Sequence, residues 1–286
     1  MKNVGNVLEK FMYNLIHPTD LYKLKCGSHE IQGHRDHMED RKKIVKIRLN
    51  NIHTCYLLLL CDGHSGEKCS EYVTRILPKL IQSTLKNISS SEKSQNINKL
   101  LTKIVLKIDK HYVKLKDFSG CTCVFALFIN NLIHIVNIGD SRCIIGNSKN
   151  IVKLATHDHK PGAPKELKRI YANGGAITNV DTPRVYINQN VGGLAISRVL
   201  GDVHYKGKNI VIANPDIYVR TKLDKDEFII LASDGLWDVV SNKEAVKFVN
   251  DRINLMCFKS IAKELVEYAY MKGSGDNISV IVSKLE

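Results

Sequence analysis

Unbroken apolar runs are the plainest pattern in this chain. Residues 56–61 and 228–232 are short stretches built mainly of Leu, Ile, Phe and Ala, and each leads into an Asp-Gly pair, Asp62-Gly63 and Asp234-Gly235. Runs of this length predict buried strands. Asp-Gly is turn chemistry, so each carboxylate is expected where its strand leaves the core for the rim of a sheet.

The rest of the pattern fills in around these strands. Val7, Leu8, Phe11, Met12, Leu15 and Ile16 keep helical spacing before Pro18, which predicts a short amphipathic helix packed on the domain, with a membrane-surface role as the alternative. Residues 44–49 and 55–61 read as adjacent strands. Residues 67–86 read as a helix with Pro78 as a kink, 87–98 as a mobile Ser/Asn/Lys-rich loop, and 100–115 as a second helix. Asn130-Asn131 separates the apolar runs 121–129 and 132–138 and predicts a tight hairpin, because Asn tolerates positive φ. A strand at 143–145 and a helix over 164–173, ended by Gly174-Gly175, come next. Residues 242–251 and 260–271 then predict helices, and 278–282 alternates as a last strand. This order is not a β-α-β alternation, so the expected class is α+β with antiparallel sheets. Antiparallel pairing sets the start of one strand beside the end of the next. Asp276 can therefore share a rim with Asp62 and Asp234.

Composition narrows the class further. The 286 residues, 44% hydrophobic, suffice for a real core. No run approaches the roughly 18 apolar residues of a membrane span, and no secretory signal or myristoylation start is read at the N-terminus. Eight cysteines without a C-x-x-C pair read as reduced, mostly inert thiols, which implies an intracellular location, cytoplasmic or nuclear. The net charge of +13 favours acidic partners. The lysines are scattered and aromatics few, so specific nucleic-acid binding is not expected. A monomer is.

The acids carry the chemistry. Carboxylate and carbonyl oxygens select Mg²⁺ or Mn²⁺ over Zn²⁺, which would call for His and Cys. Two such ions about 3.5–4 Å apart can clamp a phosphoryl group during in-line displacement. Asp62 is placed to bridge, with the carbonyl of Gly63, then Asp234 and Asp276; Glu39 and Asp40 act through water. His64 can protonate a leaving alkoxide. Arg35 can grip phosphate, or else pair with a nearby acid. Asp140 reads as a turn former or as a further ligand. Arg198 and Asp202 read as a structural ion pair, and Trp237 as core.

From about residue 33 to residue 281 the chain resembles the metal-dependent protein phosphatases of the PP2C type. The motifs are Arg35-Asp36-His37-Met38-Glu39-Asp40, Asp62-Gly63-His64, Gly139-Asp140-Ser141-Arg142, Asp158-His159-Lys160-Pro161, Gly193-Leu194-Ala195-Ile196-Ser197-Arg198-Val199-Leu200-Gly201-Asp202, Asp234-Gly235-Leu236-Trp237-Asp238 and Asp276-Asn277. The resemblance implies a four-layer α-β-β-α sandwich over residues 25–286, behind a helical extension at 1–24. It also implies hydrolysis of phosphoserine or phosphothreonine by a metal-activated water, without a covalent intermediate. Asp140 would serve a weaker third ion, and 178–190 would be a substrate-selecting flap. Two departures stand out. Ser65 follows His64 where the family has Gly, and Gly120-Cys121-Thr122-Cys123 replaces Gly-Ser-Thr-Ala, which raises the prospect of an oxidisable Cys121.

Three other functions compete. Cys69 and Arg75 have the C-x5-R spacing of cysteine phosphatases, but Glu71 and Tyr72 are wrong for a phosphate cradle. A catalytically silent phosphoprotein-binding scaffold would be expected to have lost one of the acids. Nucleic-acid binding through the basic surface would show steep salt dependence.

Overall fold

The inner strands are apolar on both faces because both faces are covered. In the computed structural model, which describes residues 24–50, 54–88, 92–178, 182–186, 193–221, 223–224 and 227–285, Leu58 and Leu60 turn toward a second sheet while Leu57, Leu59 and Cys61 turn toward helices. All five are fully buried.

Along the chain the main elements are strands β1 (Leu24–Ile31), β2 (Arg41–Arg48) and β3 (Thr54–Cys61), then helices α1 (Lys68–Leu85) and α2 (Ser94–Val113). Next come β4 (Cys123–Ile129), β5 (Leu132–Ile138), β6 (Arg142–Asn147), β7 (Val152–Ala155) and α3 (Pro164–Ala172). The last are β8 (Asp216–Thr221), β9 (Glu227–Ala232), α4 (Asn242–Asn250), α5 (Phe258–Met271) and β10 (Ile278–Leu285). Two five-stranded sheets result, ordered β8-β5-β4-β3-β2 and β1-β10-β9-β6-β7, with neighbouring strands antiparallel in both. Helices α1 and α2 cover the outer face of the first sheet, and α4 and α5 that of the second. The fold is the expected α+β four-layer sandwich.

Local chemistry accounts for the elements. Helix α1 buries Cys69, Val73, Leu77, Ile81 and Leu85, one residue every four, and continues through Pro78. Asn130 and Asn131 both have positive φ, 49° and 60°, and register Ile129 opposite Leu132. Ser241 and Glu244 form a reciprocal capping box on α4. Gly174 closes α3 at φ 77°.

Two expectations need correction. The loop expected over 87–98 contains the first turn of α2, which starts at Ser94; its polar residues face solvent while Ile97 is buried. Asp234 does not sit in a simple turn. It opens a single helical turn, Asp234–Trp237, with Ser233 at the N-cap position. The helix expected over 7–16 lies outside the described residues.

Candidate active site

The ends of β3 and β9 and the starts of β6 and β10 meet at one rim, as antiparallel register demands. A cavity of about 390 Å³ opens there, lined among others by Arg35, Glu39, Asp62, Gly63, His64, Asp140, Asp234 and Asp276. Eight of the nine residues singled out for chemistry thus share one space. The ninth, Asp40, lies just behind it at the head of β2, 1% exposed, with both carboxylate oxygens lacking a hydrogen-bond partner.

Several contacts build this rim. The Asp62 N–H donates to the Thr122 hydroxyl at 3.1 Å, and the Thr122 N–H donates to the Asp62 carbonyl at 2.8 Å. Asn277 ties two loops together: its amide donates to the Gln32 and His37 carbonyls at 2.8 and 2.9 Å, and its Oδ1 accepts from the Glu39 N–H at 2.8 Å. Glu39 Oε1 accepts from the Gly66 N–H. Gly235 lets the helical turn press against the 276–278 segment. A Cβ at that position would lie 2.1 Å from the Asn277 carbonyl oxygen, so no larger residue fits.

Burial and crowding act together on these carboxyls. Burial, then the negative charges of Asp234, Asp40, Asp140 and Asp276, push Asp62 well above the ordinary carboxylate range. Asp234 is pushed up to about 8 by burial and by Asp140, Asp238 and Asp276, with Lys160 tempering the rise. Burial raises Asp40 to about 7; the nearby hydroxyls of Ser279 and Ser233 temper this without making a hydrogen bond of normal geometry. None of the leading influences on Asp62 or Asp234 is a hydrogen bond. Buried, unpaired, mutually repelling oxygens are a poor structural arrangement and a good donor set for a hard cation.

The acids converge without closing into a coordination shell. Among the described residues, no three His, Cys, Asp or Glu side chains are gathered tightly enough to hold an ion. Two of the acids are taken up by cations. Arg35 donates to Asp276 Oδ2 at 2.6 Å, the acid-pairing use left open for it, and Lys160 is paired with Asp140. Arg142 binds Asp158 at 2.7 Å rather than Asp140, and Asp140 lines the cavity.

The expected Arg198–Asp202 pair does not form. Arg198 binds Glu166 and Asp216, at 2.6 and 2.9 Å, because the 193–202 segment is not a helix that would bring residues four apart together. Asp202 instead lies 2.7 Å from His64 Nε2. Trp237 is core, as expected. Cys121 is fully buried with its thiol raised by burial, which sets aside the exposed, oxidisable reading. Cys69 is likewise buried on α1, and Arg75 lies over Tyr72, so no phosphate cradle exists there. Sequence reasoning did not single out Tyr205, and placed Arg184 only within the expected flap; both also line the cavity. No motif flagged either one. Of the flap expected at 178–190, only 178 and 182–186 are described.

Ser65 stands in the left-handed region at φ 59°, so the departure from Gly carries strain that ordinary φ would have avoided. The strain costs about 1–2 kcal/mol, offset by the roughly 0.4–1 kcal/mol of unfolded-chain entropy that glycine adds. Ser65→Gly should therefore raise stability slightly, moving Tm up by about 1–3 °C. A lowered melting temperature would contradict this.

Similarity to known proteins points to one family. The family model described as Protein phosphatase 2C matches residues 24–278. The Bos taurus protein phosphatase 1L is 39% identical over 264 residues, covering 90% of this chain and 71% of that one. The Rattus norvegicus protein phosphatase 1B is 31% identical, covering 91% and 70%. In structure, the serine-threonine phosphatase 2C from Toxoplasma gondii superposes with a TM-score of 0.77 at 22% identity, over 93% of this chain and 96% of that one; this likeness is one of fold.

The molecule is a protein serine/threonine phosphatase. More narrowly, the chain belongs to the protein phosphatase 2C family, and its substrates are phosphoproteins.

Proposed function

We propose that this enzyme hydrolyses phosphoserine and phosphothreonine using two Mg²⁺ or Mn²⁺ ions held in the acidic cavity. The observation that carries the reading is the convergence on one cavity of Asp62, Asp140, Asp234 and Asp276, from four distant stretches, with burial and mutual repulsion raising Asp62 and Asp234. Asp62 and the Gly63 carbonyl would hold one side of the pair, Asp234 and Asp276 the other, and Glu39 and Asp40 would act through water. Asp140 would serve a weaker third ion when released from Lys160. Bound there, the ions supply an activated water and charge neutralisation at the phosphoryl group.

The remaining work falls to this chain's own groups. Arg35, 61% exposed, can leave Asp276 for a phosphate oxygen, which accepts its guanidinium fork. His64 donates a proton to the departing serine or threonine oxygen. No side chain is asked to attack phosphorus, so no covalent intermediate forms. The silent-scaffold alternative gains nothing from the site, since every acid it would have to lose is present. All eight cysteines are free, which supports a reducing compartment, cytoplasm or nucleus. Among the described residues no helix is long and apolar enough to cross a membrane. We take the enzyme to be a monomer.

The test is a chelator-controlled assay on a phosphothreonine peptide. Exhaustive chelation should remove turnover, and Mg²⁺ or Mn²⁺ added back should restore it. Full activity without divalent ions would overturn the proposal.

A further inference from the structure

The side-chain contact recorded for His64 is with a residue 138 positions away: Asp202 Oδ2 lies 2.7 Å from Nε2. The Asp202 side chain is 5% exposed and that of His64 28%. Both are placed by a three-stranded ribbon at the cavity wall. Leu200–Gly201 pairs with Gly120–Cys121, which pairs in turn with Gly63–His64. The Asp202 backbone is fixed as well. It adopts φ 51°, and its N–H donates to the Ser119 carbonyl at 3.1 Å. Between the two side chains runs Gly120. A Cβ there would lie 2.5 Å from His64 Nε2 and 2.6 Å from the Asp202 carboxylate, so this strand has room for the contact only as glycine.

We infer that Asp202 is a positioning residue for dephosphorylation, holding the His64 ring by Nε2 so that Nδ1 is the nitrogen that delivers the proton. A carboxylate can only accept, so the hydrogen of this bond belongs to Nε2. As the oxygen of the attacking water bonds to phosphorus, giving inorganic phosphate, the bond between phosphorus and the leaving oxygen breaks, its electron pair stays on that oxygen, and the Nδ1 proton neutralises it. His64 then recovers a proton from solvent. The inference rests on the reading of His64 as the acid.

The experiment compares two substrates. A phosphothreonine peptide expels an alkoxide that needs a proton; p-nitrophenyl phosphate expels a stable phenolate that does not. Asp202→Gly keeps the left-handed backbone and deletes the carboxylate, and Asp202→Asn keeps an acceptor. Asp202→Gly should lower kcat on the peptide roughly 10- to 100-fold with KM little changed, and lower turnover of p-nitrophenyl phosphate far less. Asp202→Asn should recover much of the loss. Adding Asp202→Gly to a His64→Gln enzyme should cost nothing more on the peptide. Equal losses on both substrates, or additive losses in the double variant, would overturn the positioning role. If His64→Gln alone leaves the peptide reaction intact, the reading of His64 as the acid fails instead, whatever Asp202 does. Thermal melts of both Asp202 variants establish that they are folded; should Asp202→Gly unfold, Asp202→Asn turning over both substrates in equally reduced proportion would overturn the role.

Discussion

On the proposed two-ion mechanism, replacing Asp234 with Asn should lower phosphatase activity at least about 1,000-fold, because several kcal/mol of charge stabilisation at the phosphoryl group would be lost with a ligand. The same change makes the metal-free protein more stable near neutral pH. The carboxyl of Asp234 titrates at about 8 in the folded chain, far above its usual 3.8. Between those values the folded state binds more protons than the unfolded one, so stability is full below about pH 4 and is lost as pH rises through 8. Four units at about 1.36 kcal/mol each set a ceiling near 5 kcal/mol. Neighbouring carboxyls share the protons, so the realised gain falls well short of that ceiling. Melting curves of the chelated wild type should fall in Tm from pH 5 to 8, and those of Asp234→Asn should fall less. Divalent ions should reverse the wild-type loss. Equal pH slopes in the two proteins would contradict this account.

Arg198→Ala should be among the most damaging changes away from the acidic cavity. Its guanidinium forks onto Glu166, which is 2% exposed, and reaches Asp216 at 2.9 Å and the Asn214 carbonyl at 3.0 Å. Burial alone would raise Glu166; Arg198, Ser197 and Arg169 hold it down at about 2. Its contribution is therefore present above the usual carboxylate range and lost as pH falls toward 2. Removing Arg198 strands part of a buried charge, at a cost of about 3 kcal/mol, or a Tm fall of roughly 6–12 °C. Lys would rescue poorly, since it lacks the fork. A fall under 2 °C would show that Arg169 and Ser197 suffice alone.

Legibility in the sequence followed burial. Strands β3, β4, β9 and β10 announce themselves because they are apolar throughout or alternate cleanly, and the acids at their ends were read with them. Strands β1 and β8 are edges, half-buried and mixed in composition, as in Leu-Lys-Cys-Gly-Ser and Asp-Ile-Tyr-Val-Arg, so no period marks them. The first turn of α2 was lost for the same reason: its exposed polar residues resemble a loop. At the site, carboxylates beside strand ends were legible from chain order alone. Their partners were not. Arg198, Asp202 and Lys160 find theirs through turns and non-helical segments whose directions no local pattern encodes, and Arg184 sits in a stretch without a recognisable motif.

One consequence concerns synthesis. Strand β10 pairs with β1 on one side and β9 on the other, and Asp276 immediately precedes it. A nascent polypeptide halted before residue 276 has neither the fourth acid nor the ladder joining its earliest described strand to the rest. On the proposed two-ion reading, a chain cut short before residue 276 should be inactive even with its other acids intact, since β1 and β9 then have no strand between them.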